Sequence, residues 1–151
     1  MLQASIQQLG QIISDHAARL YKISNEDFSF KRLPHKWSKK EILGHLIDSA
    51  QNNIRRFVVA QYEELPKIVY NQDKWVAAAD YQGYPVKDLI DLWVLLNKHI
   101  CTVLMNISPG AEKREAMSEA LHSIEWLAAD YSKHLLHHLH QVLDLPPVAY
   151  P

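Results

Sequence analysis

The feature that most constrains this chain is a helical spacing of apolar residues that recurs in four long segments. In the first, residues 2–23, apolar side chains follow one another at steps of three or four: Ile6, Leu9, Ile13, Ala17 and Leu20. Such steps place side chains on one face of an α-helix. The same spacing recurs over residues 38–61, 85–107 and 123–143, so the sequence predicts four amphipathic helices.

Capping residues and one long connection define how these helices are joined. Ser38 can accept the free N–H of Glu41 while Glu41 reaches back, a capping box that begins the second helix. Pro85 begins the third, because the first helical position needs no N–H. Residues 62–84 are too many for a plain loop in a compact domain, so residues 72–80 are expected to form a short helix there. The sequence therefore predicts an all-α fold, a four-helix bundle with a long connection between the second and third helices.

Size and charge exclude several classes of protein. With 151 residues, the chain is expected to form a single domain over residues 1–151. Sixteen Lys and Arg stand against seventeen Asp and Glu without a basic stripe, so nucleic acid is not an expected partner. No stretch approaches the ~20 apolar residues of a membrane span, and the N-terminus lacks the features of a signal peptide. With a lone cysteine, Cys101, we expect a cytoplasmic protein with no membrane partner.

Nine histidines are unusually many for this length, and their placement on helices decides which of them can act together. His134 and His138 lie one turn apart on the same side of the fourth helix, a spacing at which two imidazoles can bind one metal ion. His137 and His140 are expected to face solvent. The alternative is a satisfied core histidine beside an exposed one, and the spacing alone leaves both interpretations open.

The second helix carries a file of polar residues beside its apolar face. His45, Ser49, Asn52 and Arg56 follow one another at steps of four, three and four, which is typical of a helix that lines a cavity. The alternative is a solvated helix edge, because His45 lies about 130° from the centre of the apolar stripe. The helical wheel therefore leaves His45 undecided.

Three motifs occur in order along the chain. They are Trp37-Ser38 with His45-Leu46-Ile47-Asp48-Ser49, Asn52 and Arg56; then Tyr70-Asn71-Gln72-Asp73-Lys74-Trp75-Val76 with Ala79-Asp80-Tyr81; then Asp130-Tyr131, His134, His137-His138-Leu139 and Gln141. Together they resemble the motifs of the DinB/YfiT superfamily of metal-binding four-helix proteins. In that family one histidine of the second helix and two of the last helix bind a divalent metal, usually zinc or nickel. The resemblance assigns these roles to His45, His134 and His138.

The resemblance also carries expectations about function. Three imidazoles leave a coordination position open, which is typical of a catalytic metal. The superfamily includes bacillithiol S-transferases, a mycothiol-dependent isomerase and metal-dependent hydrolases. We therefore expect a metal-dependent enzyme that acts on a small molecule, by S-transfer from a low-molecular-weight thiol or by hydrolysis, with a pocket that includes Ser49, Asn52, Arg56 and Gln141. The alternatives are a non-catalytic metal- or ligand-binding bundle for sensing or stress response, and a purely structural bundle. Relatives are often homodimers, so a homodimer is a further expectation.

Four other polar residues remain without an assigned function. Asp48 and Asp130 are candidate general bases, but Asp48 could equally pair with a lysine, and Asp130 could accept a histidine N–H. No catalytic residue is assigned on this basis. His16 and His99 fall on or near the inner faces of the first and third helices, and they are expected to be hydrogen-bonded core histidines and not metal ligands.

Overall fold

A computed structural model describes residues 1–151. It contains six α-helices and a two-stranded antiparallel hairpin: α1 Leu2–Tyr21, α2 Asn25–Ser29, α3 Lys39–Val59, α4 Gln72–Ala79, α5 Val86–Met105, β1 Glu115–Met117, β2 Leu121–Ser123 and α6 Ile124–Val142. Two short 3₁₀ turns, Tyr81–Gly83 and Ala111–Lys113, lie between helices. Helices α1, α3, α5 and α6 coincide with the four predicted long helices to within two residues at each end, and α4 is the short helix expected in the long connection.

The four long helices form a bundle whose corners follow from their contacts. Helix α1 and helix α3 each pack against both α5 and α6, so α1 and α3 lie at opposite corners. The core between them is filled by fully buried apolar side chains, among them Leu9, Leu46, Phe57, Trp93 and Leu135. The predicted all-α four-helix bundle with a long second connection is confirmed. None of the helices combines the length and the apolar character that crossing a membrane requires.

The start of α3 is fixed by the predicted capping box. The backbone N–H of Glu41 donates to Ser38 Oγ, and the Glu41 carboxylate accepts the backbone N–H of Ser38, both at 3.1 Å. Ser38 Oγ also donates to Gln82 Oε1 at 2.6 Å, which ties this cap to the long connection. Since a capping residue contributes about 1 kcal/mol, the register at which α3 enters the bundle is well defined.

The long connection returns over α3 and is held there by a buried tyrosine. Tyr81 is 4% exposed, and its hydroxyl donates to Asp48 Oδ1 at 2.5 Å. The Tyr81 ring lies against Gly44, where a Cβ would come within 2.1 Å of a ring carbon. Only glycine leaves room for the ring, so Gly44 and Asp48 together fix the connection on α3.

Two elements and one histidine differ from the sequence-based expectations. Helix α2 and the β1–β2 hairpin were not expected, and both are too short to show a periodic pattern. His16 is buried, and its Nδ1 lies 2.7 Å from the Ile12 carbonyl oxygen, as predicted for a core histidine. The prediction for His99 was wrong, because its side chain is exposed. The next residue, Ile100, is fully buried, and the rotation of about 100° between neighbours turns His99 outward.

Candidate metal centre

Three histidines from two helices converge where α3 and α6 pack together. His45 on α3 is 1% exposed, while His134 and His138 on α6 are half-buried. His45 Nε2 lies 3.2 Å from His134 Nε2, and the His138 ring centroid lies 5.0 Å and 4.6 Å from the centroids of the other two rings. One ring nitrogen from each histidine lies within 4.8 Å of the other two. We call this group the three-histidine cluster.

The donor atoms of the three-histidine cluster fit a divalent metal ion. Imidazole nitrogens about 2.0–2.1 Å from a tetrahedral metal are about 3.4 Å apart, close to the 3.2 Å between the Nε2 atoms of His45 and His134. Burial and, to a smaller extent, the neighbouring imidazoles lower the pKa of His45 to about 4 and that of His134 to about 3. Burial also lowers the pKa of His138. All three are therefore neutral at pH 7, the form that binds a metal.

A chain of hydrogen bonds determines which nitrogen of His138 carries its proton. His138 Nδ1 donates to Gln141 Oε1 at 2.8 Å, because an amide oxygen can only accept. Gln141 Nε2 in turn donates to His137 Nε2 at 3.3 Å, and His137 Nδ1 donates to the Val148 carbonyl oxygen at 2.5 Å. The proton of His138 is thus held on Nδ1, which leaves Nε2 free to bind a metal.

A cavity of about 650 Å³ lies beside His134. Its walls come from α3, the long connection, the β1–β2 turn, α6 and the C-terminal tail, and include Ser49, Asn53, Arg56, Tyr70, Glu119, Trp126, Asp130 and Tyr150. Of the predicted pocket residues, Ser49 and Arg56 line this cavity. Asn52 does not: it is buried, and its Nδ2 donates to the Asp48 carbonyl oxygen. Gln141 contacts the His138 ring instead of the cavity.

The two candidate general bases have other partners than those expected. Asp48 is 2% exposed and pairs with no lysine; one carboxylate oxygen accepts the Tyr81 hydroxyl, and the other has no hydrogen-bond partner. Burial raises the pKa of Asp48 to about 6. Asp130 accepts the Tyr150 hydroxyl at 2.8 Å and no histidine N–H.

Comparison with known sequences identifies the family. Residues 8–142 match the profile of the DinB superfamily. The chain belongs to the DinB superfamily. A relative from Oceanobacillus iheyensis, named a "putative metal-dependent hydrolase", is 28% identical over 126 residues, which cover 82% of this chain and 73% of the relative.

Two solved structures share the fold of this DinB superfamily member. YfiT from Bacillus subtilis, described as a probable metal-dependent hydrolase with an unusual four-helix bundle topology, superposes with a TM-score of 0.82 at 20% identity, over 95% of this chain and 84% of YfiT. A mycothiol-dependent maleylpyruvate isomerase superposes with a TM-score of 0.78 at 15% identity, over 99% of this chain. The match spans only 62% of that longer isomerase.

Sequence reasoning missed several residues at the site of this DinB superfamily member, among them Asn53, Tyr70 and Tyr150. Asn53 and Tyr70 line the cavity, and the Tyr150 ring packs against the His134 ring with the centroids 5.3 Å apart. Asn53 is next to the Asn52 that the polar file indicated. Tyr70 lies in a recognised motif but outside a long helix, and Tyr150 lies in a proline-rich tail, so helical periodicity gave no signal for either.

Proposed function

We propose that this chain is a metal-dependent enzyme that acts on a small molecule at the three-histidine cluster, with zinc or nickel as the metal. The observation that carries the proposal is that three neutral imidazoles from two helices lie within 4.8 Å of one another beside a cavity of about 650 Å³. A metal held by three imidazoles supplies a nucleophile at neutral pH, because it lowers the pKa of a bound water or thiol.

Different side chains would bind the metal and the substrate. His45, His134 and His138 would bind the metal, and Gln141 would keep the Nε2 atom of His138 unprotonated for that purpose. Ser49 and Arg56 are the two predicted pocket residues that reach the cavity, where they would bind polar groups of the substrate. Substrate at this position would be adjacent to His134, which lines the same cavity.

For the reaction, we propose S-transfer from a low-molecular-weight thiol to an electrophile, and hydrolysis as the second candidate. The thiol reaction is favoured by the shared fold with a mycothiol-dependent isomerase, and hydrolysis by the names of the O. iheyensis relative and YfiT. Conjugation of monochlorobimane with a panel of thiols tests the first, and cleavage of p-nitrophenyl esters tests the second. We expect one of the two activities, and we expect EDTA to abolish it.

The metal site is tested by removing its ligands one at a time. In His134→Ala and His138→Ala, purified without chelator, we expect the metal measured by elemental analysis to fall from one equivalent to well below one. His99→Ala is the matched control, since this imidazole is exposed and lies on α5 away from the cluster. Full metal content in both ligand variants would contradict the proposal. If both variants lose metal but the metal-loaded wild type shows neither activity, the chain would be a non-catalytic metal-binding bundle instead.

A further inference from the structure

Arg56 is a half-buried cation without an ionic partner. Its Nε and Nη2 donate to the Ile68 carbonyl oxygen at 3.1 and 2.9 Å, and its Nη1 donates to Asn53 Oδ1 at 3.3 Å. These acceptors are all neutral, and none of the ion pairs of the structure includes Arg56. Asp130 and Glu119 favour the charged form of Arg56 through space but form no ion pair with it. Because a cation that is partly withdrawn from water without a contacting counter-charge is costly, this guanidinium favours an anionic ligand in the cavity that it lines.

The hydrogen bonds of Arg56 leave a suitable pair of donors free. A guanidinium has five N–H groups, and three are used by Ile68 and Asn53. One N–H remains on each of Nη1 and Nη2, and a guanidinium can bind both oxygens of a carboxylate through one N–H from each of these two nitrogens. The existing bonds also hold the guanidinium in place, so that little side-chain freedom would be lost when a ligand binds.

The distance between Arg56 and the three-histidine cluster sets the length of such a ligand. Arg56 follows His45 by eleven residues on α3, which separates their Cα atoms by about 16 Å along the helix axis. Ser49 and Asn53 lie between them and line the same cavity. A ligand that contacts both Arg56 and the cluster would therefore extend along α3 past Ser49 and Asn53.

The other charges of the cavity limit the kind of anion. Asp130 and Glu119 also line it; Asp130 accepts the Tyr150 hydroxyl, and Glu119 is exposed on the hairpin turn. Two nearby carboxylates oppose a doubly charged phosphate more strongly than a singly charged group. We propose, on the basis of the proposed function, that the cavity binds an elongated carboxylic acid, with its carboxylate on Arg56 and its reacting end at the three-histidine cluster.

Unbranched dicarboxylates of increasing length test this proposal, since one end can bind Arg56 and the other a metal on the cluster. Succinate, adipate, suberate and sebacate are titrated calorimetrically into Zn²⁺-loaded protein. We expect the dissociation constant to fall by about tenfold or more between succinate and the best longer acid, the change that about 1.4 kcal/mol produces. We expect Arg56→Gln to remove this gain, and Arg55→Gln, which changes an exposed neighbour, to preserve it.

Further measurements separate this proposal from that of a metal enzyme. Arg56→Lys keeps the charge without the paired donors, so it should bind the longer acids more weakly than the wild type. This variant takes the place of Arg56→Gln in the test if Arg56→Gln does not fold. Equal affinity in wild type, Arg56→Lys and any folded Arg56→Gln, or no binding of any acid, would overturn the carboxylate site even where metal content and activity stay normal. Conversely, full metal content in His134→Ala and His138→Ala would contradict the metal site alone. The carboxylate site would still be supported if EDTA-treated protein bound the acids in a way that depends on Arg56.

Discussion

At the scale of single residues, one amide controls the protonation of a candidate ligand. Gln141 accepts the Nδ1 proton of His138 and donates to His137, whose own proton goes to the Val148 carbonyl oxygen. Without Gln141, the proton of His138 could move to Nε2, where it would block metal binding. An orienting acceptor of this kind typically changes metal affinity 10–100-fold.

We therefore predict that Gln141→Ala raises the dissociation constant for Zn²⁺ by about 10–100-fold, measured by competition with a chromophoric chelator. Gln141→Glu should largely restore affinity, because a carboxylate oxygen can also accept the Nδ1 proton. Gln8→Ala, at an exposed position on α1, is the control and should bind Zn²⁺ as the wild type does. Equal affinities in all four proteins would show that His138 needs no orienting acceptor.

Asp48 is a second residue whose environment makes a prediction, in this case about pH. Burial raises its pKa from 3.8 to about 6 in the folded protein. Between these values the unfolded chain releases the proton while the folded chain retains it, so this carboxyl lowers the free energy of unfolding as pH rises from about 4 to 6. The free energy of unfolding of Asp48→Asn, measured by urea unfolding, should therefore increase relative to that of the wild type by about 1–3 kcal/mol as pH rises from 4 to 7. A constant difference would contradict the raised pKa.

At the scale of secondary-structure elements, the contact between the long connection and α3 depends on one glycine. A methyl group at Gly44 would meet the Tyr81 ring at 2.1–2.5 Å, whereas one at Gly10 on α1 would meet nothing within 4 Å. We predict that Gly44→Ala destabilises the protein by about 1–3 kcal/mol because the ring must move. Gly10→Ala should be neutral or stabilise by up to about 1 kcal/mol, since alanine favours a helix. Chemical denaturation of both variants tests this, and equal effects would show that Tyr81 adapts without cost.

How much the sequence could predict also differs between elements. The four long helices were predictable to within two residues because each carries a periodic apolar face. The helical wheel left His45 undecided because α3 is contacted by α2, α4, α5, α6 and the turn at Tyr81. Several faces of α3 are therefore buried, and not only its apolar stripe. Buried polar residues such as Asn52 and Asn53 donate hydrogen bonds within the helix. Spacing alone therefore does not show that Asn53 lines the cavity and Asn52 does not. The hairpin turn and the tail were missed because tertiary contacts, and not a periodic pattern, bring them to the cavity.

At the scale of the whole molecule, the three-histidine cluster connects neighbouring corners of the bundle. His45 belongs to α3 and the other two histidines to α6, and these helices pack against each other, while α1 lies opposite α3. A metal bound there would link two helices that are far apart in sequence. Since a ligand that binds only the folded state stabilises it, Zn²⁺ at about 100 times its dissociation constant should add about 2.7 kcal/mol to the free energy of unfolding. Thermal melts with and without EDTA measure this, and His134→Ala should show no such difference.

The metal-free bundle should lose stability in mild acid because it buries neutral imidazoles. The pKa of His45 is lowered from 6.5 to about 4 in the folded protein, so between these values the unfolded chain binds a proton that the folded chain does not. Through His45, the free energy of unfolding therefore decreases as pH falls from about 6.5 to 4, at up to about 1.4 kcal/mol per pH unit. In EDTA-treated protein, His45→Gln should flatten the dependence of the unfolding free energy on pH by about that slope, and His99→Gln, which replaces an exposed histidine on α5, is the matched control variant. Parallel curves for the wild type and His45→Gln would show that His45 takes up its proton in the folded bundle as readily as in the unfolded chain.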